Sequence, residues 1–306
     1  MRHFSDISAI DSDQLRLIIN DAHERKAQRQ GKPRGALDDG APLKDHTMGM
    51  LFELPSTRTR ISFTIGMYQL GGRTIALSNN DIQLGYGESI EDTTRVLSRF
   101  VDLILIRSEK HETMQTMMQH STVPVINGLT TQSHPCQIMA EVMTCEERGR
   151  KLDDTRWVWL GDGNNVAKSL IDASGAFGFE LTVATPKGFA PCPEAVKAAR
   201  DRGSRITLSN DPDAVVSADV VVTDTWLSMG QDDSAEKRKL IAPFQVNAQL
   251  LSKAAPDAMF MHCLPAHRGN EVTDDVLDGP QSAAWDEAEN RLHVQKSIIL
   301  WCLGLL

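Results

Sequence analysis

The sequence predicts an α/β protein made of two doubly wound parallel-sheet domains, and three observations carry that expectation. Short apolar runs of strand length alternate with helical patterns along almost the whole chain, the pattern of parallel strands joined by helical crossovers. The alternation falls into two series, separated by a polar stretch at 145–154. At 306 residues the chain is long enough to give each series its own core.

In the first series the strand-like runs are 48–52, 73–77, 103–106 and 123–126, each short and apolar enough to be buried. Helical patterns at 60–70, 89–100 and 111–119 lie between them. The first of these helices opens on Ser56, whose hydroxyl suits an N-cap, with Thr57, Arg58 and Thr59 in its first turn. Another helix begins near His134, where Pro135 fits the first helical position. The second series has strands at 157–160, 181–184, 206–208, 220–223 and 259–262, most of them separated by helices at 166–176, 193–202 and 247–254. The polar stretch is the expected boundary, giving domains at 1–148 and 149–288. A final helix over 289–306 ends in an apolar tail that needs a surface to bury.

Composition narrows the function classes. Apolar content of 41% and charged content of 24% are ordinary for a globular protein. A net charge of −9 argues against nucleic acid or an anionic membrane as a main partner, while leaving room for a local basic pocket. Five cysteines, an odd number without paired metal-ligand spacing, point to a reducing compartment rather than a disulfide framework. The N-terminus lacks the apolar core of a signal peptide, and no stretch approaches membrane-spanning length. A cytoplasmic protein is expected.

Several short motifs carry chemistry. Pro55-Ser56-Thr57-Arg58-Thr59-Arg60 follows an apolar strand and opens a helix, so backbone N–H groups, threonine hydroxyls and an arginine fork converge on one point. That combination suits a phosphate dianion; the plainer reading is a well-capped helix with surface arginines. His134 and Gln137 are three positions apart and share a helix face, with Cys136 between them as a packing residue. Gly161-Asp162-Gly163-Asn164-Asn165 follows a strand and opens a helix, but Val166 stands where a dinucleotide fingerprint needs its third glycine, so an oxidoreductase is disfavoured. His262 and Cys263 adjoin along a strand and point opposite ways, which disfavours a cysteine–histidine hydrolase.

Ser56-Thr57-Arg58-Thr59, His134-Pro135-Cys136-Gln137 and His262-Cys263-Leu264-Pro265 together resemble the aspartate/ornithine carbamoyltransferase family. Asp224-Thr225-Trp226-Leu227-Ser228-Met229-Gly230 narrows the resemblance to its ornithine-using members. The likeness extends through Gly161-Asp162-Gly163-Asn164-Asn165, Pro265-Ala266-His267-Arg268-Gly269-Asn270-Glu271-Val272-Thr273-Asp274 and Asp286-Glu287-Ala288-Glu289-Asn290-Arg291, in the family's order and over essentially the whole chain. It implies two lobes facing each other across a central cleft, the final helix packed back on the first, and a homotrimer with each site near a subunit boundary.

The resemblance also implies site residues. Ser56, Thr57, Arg58, Thr59, Gln83, Arg107, His134, Gln137, Cys263, Leu264 and Arg291 would bind carbamoyl phosphate, with Arg107, His134, Cys263 and Arg291 catalytic. Thr59, Arg107 and His134 would donate to the carbonyl oxygen, Gln137 would accept from the carbamoyl amide, and Arg291 would lie near that group. Gln83 would reach a neighbouring subunit's site, although Tyr86 in the same loop occupies a position where relatives often carry a basic residue. Asn165, Asp224, Ser228 and Met229 would bind L-ornithine, with Cys263, Asp224 and the Leu264 carbonyl orienting its δ-amine. The expected reaction is direct carbamoyl transfer giving citrulline and phosphate, with no metal or organic cofactor. The alternatives are a carbamoyltransferase for aspartate, putrescine or an acylated ornithine, or a non-catalytic phosphate-binding relative.

Overall fold

The computed structural model describes residues 1–78, 87–226 and 234–306. They form two compact units, Met1–Ala140 with Asn290–Leu306, and Glu141–Glu289.

In the first unit β1 (Thr47–Phe52), β2 (Arg73–Ser78), β3 (Leu103–Arg107) and β4 (Val125–Leu129) make an all-parallel sheet in the order β2-β1-β3-β4. All five residues of β3 are buried, as a central parallel strand covered on both faces requires. The helices are α1 (Ser12–Gln28), α2 (Thr57–Gln69), α3 (Ile90–Leu97), α4 (His111–His120) and α5 (Pro135–Glu147), whose last turns belong to the second unit. Leu51, Ile104, Ile106, Met114, Met117 and Val125 form one of the cores. The chain leaves β1 for β2 on one side, while β3 and β4 lie on the other. Loops after β1 and β3 therefore diverge at the strands' carboxyl ends and open a crevice there.

The strands lie near their expected positions, with local shifts. The strand expected at 123–126 begins at Val125, because Pro124 has no N–H and the Val123 N–H is taken by the Ser121 hydroxyl at 3.2 Å. Arg107, expected just past its strand, is its last residue. Helix α1 was not anticipated, although Leu15, Ile18, Ile19 and Ala22 form its buried stripe and Asp11 accepts from the Asp13 N–H at its start.

The second unit holds β5 (Arg156–Leu160), β6 (Glu180–Ala184), β7 (Ile206–Ser209), β8 (Val220–Thr223) and β9 (Met259–His262), all parallel in the order β7-β6-β5-β8-β9. Its helices are α6 (Asn165–Phe177), α7 (Pro193–Asp201), α8 (Ala235–Ile241), α9 (Ala248–Leu251), α10 (Asp274–Leu277) and the first turns of α11 (Ala284–Cys302). Leu160, Val221, Phe260, Val246 and Val272 belong to its core. Here the order reverses between β5 and β8, whose ends Leu160 and Thr223 are paired.

Two of the expected helices differ in extent in this part of the chain, and α8 and α10 were not anticipated. The helix expected at 247–254 shrinks to Ala248–Leu251, because the Lys253 carbonyl and the Ala255 N–H bond to Ser217 and Ala218 before β8. The final helix begins at Ala284 rather than 289: Ala283 still bonds Phe260 at the β9 edge, and Asp286 and Glu287 then suit the positive end of the helix dipole. It ends at Cys302, before Gly304 at a φ of 73°.

Candidate functional site

The described residues among those predicted from sequence fall into two sets, one in each unit, beside the two reversals of strand order. In the first, α2 starts directly after β1, and Ser56 caps it by accepting the Thr59 N–H at 3.3 Å. Thr57 and Arg58 lie in this first turn, at the positive end of the helix dipole. Thr59 is fully buried, and its hydroxyl accepts from Arg107 at 3.3 Å and from Arg291 at 2.7 Å. A hydroxyl oxygen has two lone pairs and one proton. With both lone pairs engaged by guanidiniums, the O–H is the capacity left, and it is polarised to donate.

His134 immediately precedes α5, and its carbonyl accepts the Gln137 N–H at 3.1 Å. Both side chains are buried. Burial first, and then the charges of Arg291, Arg107 and Arg58, hold the His134 imidazole well below the usual histidine range. It is therefore neutral at physiological pH, a donor at one nitrogen and an acceptor at the other. Cys136 gives its thiol to the Asn127 carbonyl at 3.4 Å, and burial pushes it up to about 12.

Sequence reasoning missed the groups beneath His134. Asn127 donates to the Ser133 hydroxyl at 2.9 Å and to the Ser5 carbonyl at 2.8 Å. The Thr130 hydroxyl meets a His111 ring nitrogen at 2.9 Å and accepts the Ser133 N–H at 3.3 Å. These buried polar contacts fix the turn that presents His134. A polar asparagine inside a strand was the available signal.

In the second unit Asp224 follows β8 directly, and each of its carboxylate oxygens is engaged. Oδ1 accepts from the Cys263 thiol at 2.9 Å and from the Thr225 N–H at 2.7 Å; Oδ2 accepts from Asn164 at 2.8 Å. Asn164 is also the cap of α6, its Oδ1 accepting the Val166 and Ala167 N–H groups at 2.9 and 3.1 Å. Sequence reasoning named Asn165, the partly buried first residue of α6, and overlooked Asn164 beside it. Withdrawal of the thiol from solvent, and then the Asp224 carboxylate, push Cys263 well above the usual thiol range, so it is a protonated donor. Leu264 follows in the left-handed region at a φ of 55°.

His262 is fully buried, with its Nε2 toward Glu271 at 3.3 Å. Asp224, His262 and Cys263 bring one possible ligand atom each within 4.8 Å of one another. Both His262 nitrogens are engaged, however, Nδ1 accepting the Leu264 N–H at 2.8 Å and Nε2 meeting Glu271. Cys263 and Asp224 are bonded to each other, while His262 bonds Leu264 and Glu271, so each of the three already has hydrogen-bond partners. Gly163 has its own explanation in close backbone approach: a Cβ there would lie 2.3 Å from the Pro191 nitrogen. Gln83, Tyr86, Ser228 and Met229 lie outside the described residues.

Residues 2–147 match the carbamoyl-P binding domain of aspartate/ornithine carbamoyltransferase, and residues 153–302 match the Asp/Orn binding domain of the same family. The chain is 52% identical over 308 residues to the ornithine carbamoyltransferase of Cereibacter sphaeroides (strain ATCC 17029), covering 100% of both. It is 51% identical over 304 residues to that of Brucella suis biovar 1, covering 99% of this chain and 96% of the relative. Among solved structures it is similar to ornithine carbamoyltransferase from Pyrococcus furiosus, at 44% identity and a TM-score of 0.93, covering 100% of this chain and 98% of that one. The anabolic ornithine carbamoyltransferase of Campylobacter jejuni is similar at 34% identity and a TM-score of 0.90, with 100% of both chains covered.

Proposed function

Since the chain belongs to the aspartate/ornithine carbamoyltransferase family, we propose that it transfers the carbamoyl group of carbamoyl phosphate to the δ-amine of L-ornithine, giving L-citrulline and phosphate. The observation that carries this reading is the buried Thr59 hydroxyl, engaged by Arg107 and Arg291 at the start of α2.

The phosphate of the substrate is assigned to the α2 N-terminus, held by the Ser56, Thr57, Arg58 and Thr59 turn with help from Gln83 contributed by a neighbouring subunit of the proposed trimer. Its carbonyl oxygen gains charge as the amine attacks. Thr59, Arg107 and neutral His134 donate to that oxygen, Gln137 accepts from the amide, and Arg291 lies beside the carbamoyl group. For the acceptor, Asn165, Ser228 and Met229 bind the amino-acid end. Asp224, the Cys263 thiol and the Leu264 carbonyl orient the δ-amine. An alkyl ammonium of this kind titrates near ~10.4, so the amine must lose its proton before it attacks, and the departing phosphate can take the proton released in the tetrahedral intermediate. Binding, orientation and fixed donors suffice for this acyl transfer.

The protein is assigned to the cytoplasm, to arginine synthesis and to a homotrimer. An apolar face supports self-association: Ile61, Ile65 and Tyr68 recur at helical spacing along α2 and are exposed, as is Ile75 on the edge strand β2. The site assignment is tested by Arg58→Ala and Arg107→Ala. Each should lower kcat/KM for carbamoyl phosphate by more than ~100-fold, the scale of losing a fixed donor, while leaving the circular dichroism spectrum unchanged. Near-normal activity in both would refute it.

A further inference from the structure

Building on the function proposed above, we infer that the buried Glu271–His262 pair is a positioning element of the acceptor site: it sets the turn whose Leu264 carbonyl and Cys263 thiol orient the reacting amine. Neither residue is among those assigned to the substrates.

Glu271 and His262 are both completely buried. A carboxylate withdrawn from water is costly unless its bonds are replaced, and Glu271 Oε1 has two such bonds. It accepts the backbone N–H of His267 at 2.5 Å and faces His262 Nε2 at 3.3 Å. One oxygen thus ties together the two sides of the turn that runs from the end of β9 to His267. The ring's other nitrogen completes the relay. Leu264 N–H is a donor, so Nδ1 must be the acceptor at 2.8 Å, and in the neutral ring the proton lies on Nε2, aimed at Glu271. The tautomer is fixed by the bond at each end.

What this relay holds is an uncommon backbone. Leu264 sits in the left-handed region, at a φ of 55°, which a side chain of its kind occupies only where its surroundings keep it. The grip on its N–H orients the Leu264 peptide and the adjoining carbonyl. On the other side of the same turn, the His262 N–H bonds Glu287 at 3.0 Å, which pins the end of β9 while Cys263 reaches Asp224 at 2.9 Å. His262 therefore serves as a spacer with a directed acceptor, fixing where two amine-facing groups point without touching substrate itself.

Asparagine and glutamine at position 262 separate this role from general support. Asn Oδ1 falls where Nδ1 was and can still accept from Leu264; Gln places its polar group at the Nε2 position, toward Glu271, and leaves the Leu264 N–H unheld. We expect H262N to keep at least tenfold more kcat than H262Q, and E271Q, which retains the accepting oxygen, to restore most of the turnover that E271A loses. Inhibition by 2-aminopentanoic acid, which is ornithine without its δ-amine, should stay within threefold of wild type throughout, as should KM for carbamoyl phosphate. Equal kcat in H262N and H262Q would overturn the inference, and so would a loss of inhibitor binding that matches the loss of kcat. A wild-type protein that does not carbamoylate ornithine would instead overturn the function on which the inference rests.

Discussion

Arg291 on α11 donates to the Thr59 hydroxyl on α2 at 2.7 Å, across 232 positions of sequence. Arg107, at the end of β3, donates to the same oxygen at 3.3 Å. Two cations therefore polarise one hydroxyl whose remaining function is to give its proton to an acceptor. Thr59→Val keeps the shape and removes that donor. We expect kcat to fall by roughly 100- to 1,000-fold, the usual cost of one oxyanion donor, while Thr59→Ser retains most of the activity. Steady-state kinetics with both substrates saturating is the check; a valine variant within threefold of wild type would remove Thr59 from the mechanism.

The Cys263 thiol is held protonated and bonded to Asp224, so it should be a poor nucleophile at neutral pH. With iodoacetamide at pH 7, the exposed Cys192 should be labelled first and Cys263 at least tenfold more slowly, read by peptide mass spectrometry. Faster labelling at Cys263 would mean that a thiolate is present there. Cys263→Ser, which keeps a donor to Asp224, should keep measurable turnover under the direct transfer proposed above.

Much of this arrangement was legible in the sequence, and the failures share a cause. The strands 220–223 and 259–262 were located by their apolar runs, and the Ser56 cap by its residue type ahead of a helical pattern, because both are local properties. The meeting of Arg107 and Arg291 at Thr59, the bond from Asn164 to Asp224, and the Glu271–His262 contact were not legible from pattern alone. Each depends on sheet order and helix docking, which place residues far apart in sequence side by side. Family resemblance named Arg107, Arg291, Thr59 and Asp224 as site residues, but it gave no role to Asn164 or Glu271, which lie within its motifs, or to Asn127.

Two buried histidines should couple stability to pH. His134 is held well below its usual range, and His293 is lowered to about 3 by burial and then by Lys296, Lys26 and Arg29. Both are neutral when folded, whereas the unfolded chain takes up protons below 6.5. The folded state is therefore favoured above that pH, and the advantage is lost progressively as pH falls from about 6.5 toward the folded values. For His293 alone this amounts to about 2 kcal/mol between pH 7 and pH 5, from 1.36 kcal/mol per unit. Urea denaturation of His293→Gln at both pH values should show a pH-dependent loss smaller than wild type by about that amount; identical losses would contradict the assignment.

The exposed face of Ile61, Ile65 and Tyr68 is proposed to be covered in the homotrimer. A charge placed there must then be desolvated on assembly. Ile65→Glu combined with Tyr68→Glu should shift sedimentation velocity from the trimer mass to the monomer mass of 33.8 kDa, with a folded circular dichroism spectrum. A trimer unaffected by both charges would place the interface elsewhere.

Acceptor specificity is decided by carbamoylation of four amines in parallel: L-ornithine, L-aspartate, putrescine and N-acetylornithine, each with carbamoyl phosphate. Citrulline should form rapidly from ornithine, at a rate that rises with pH as the neutral δ-amine accumulates, with little or no product from the other three. Turnover with one of those three in place of ornithine would contradict the reading of the acceptor residues. Absence of product from all four, in a folded protein that binds carbamoyl phosphate, would contradict the assigned reaction itself.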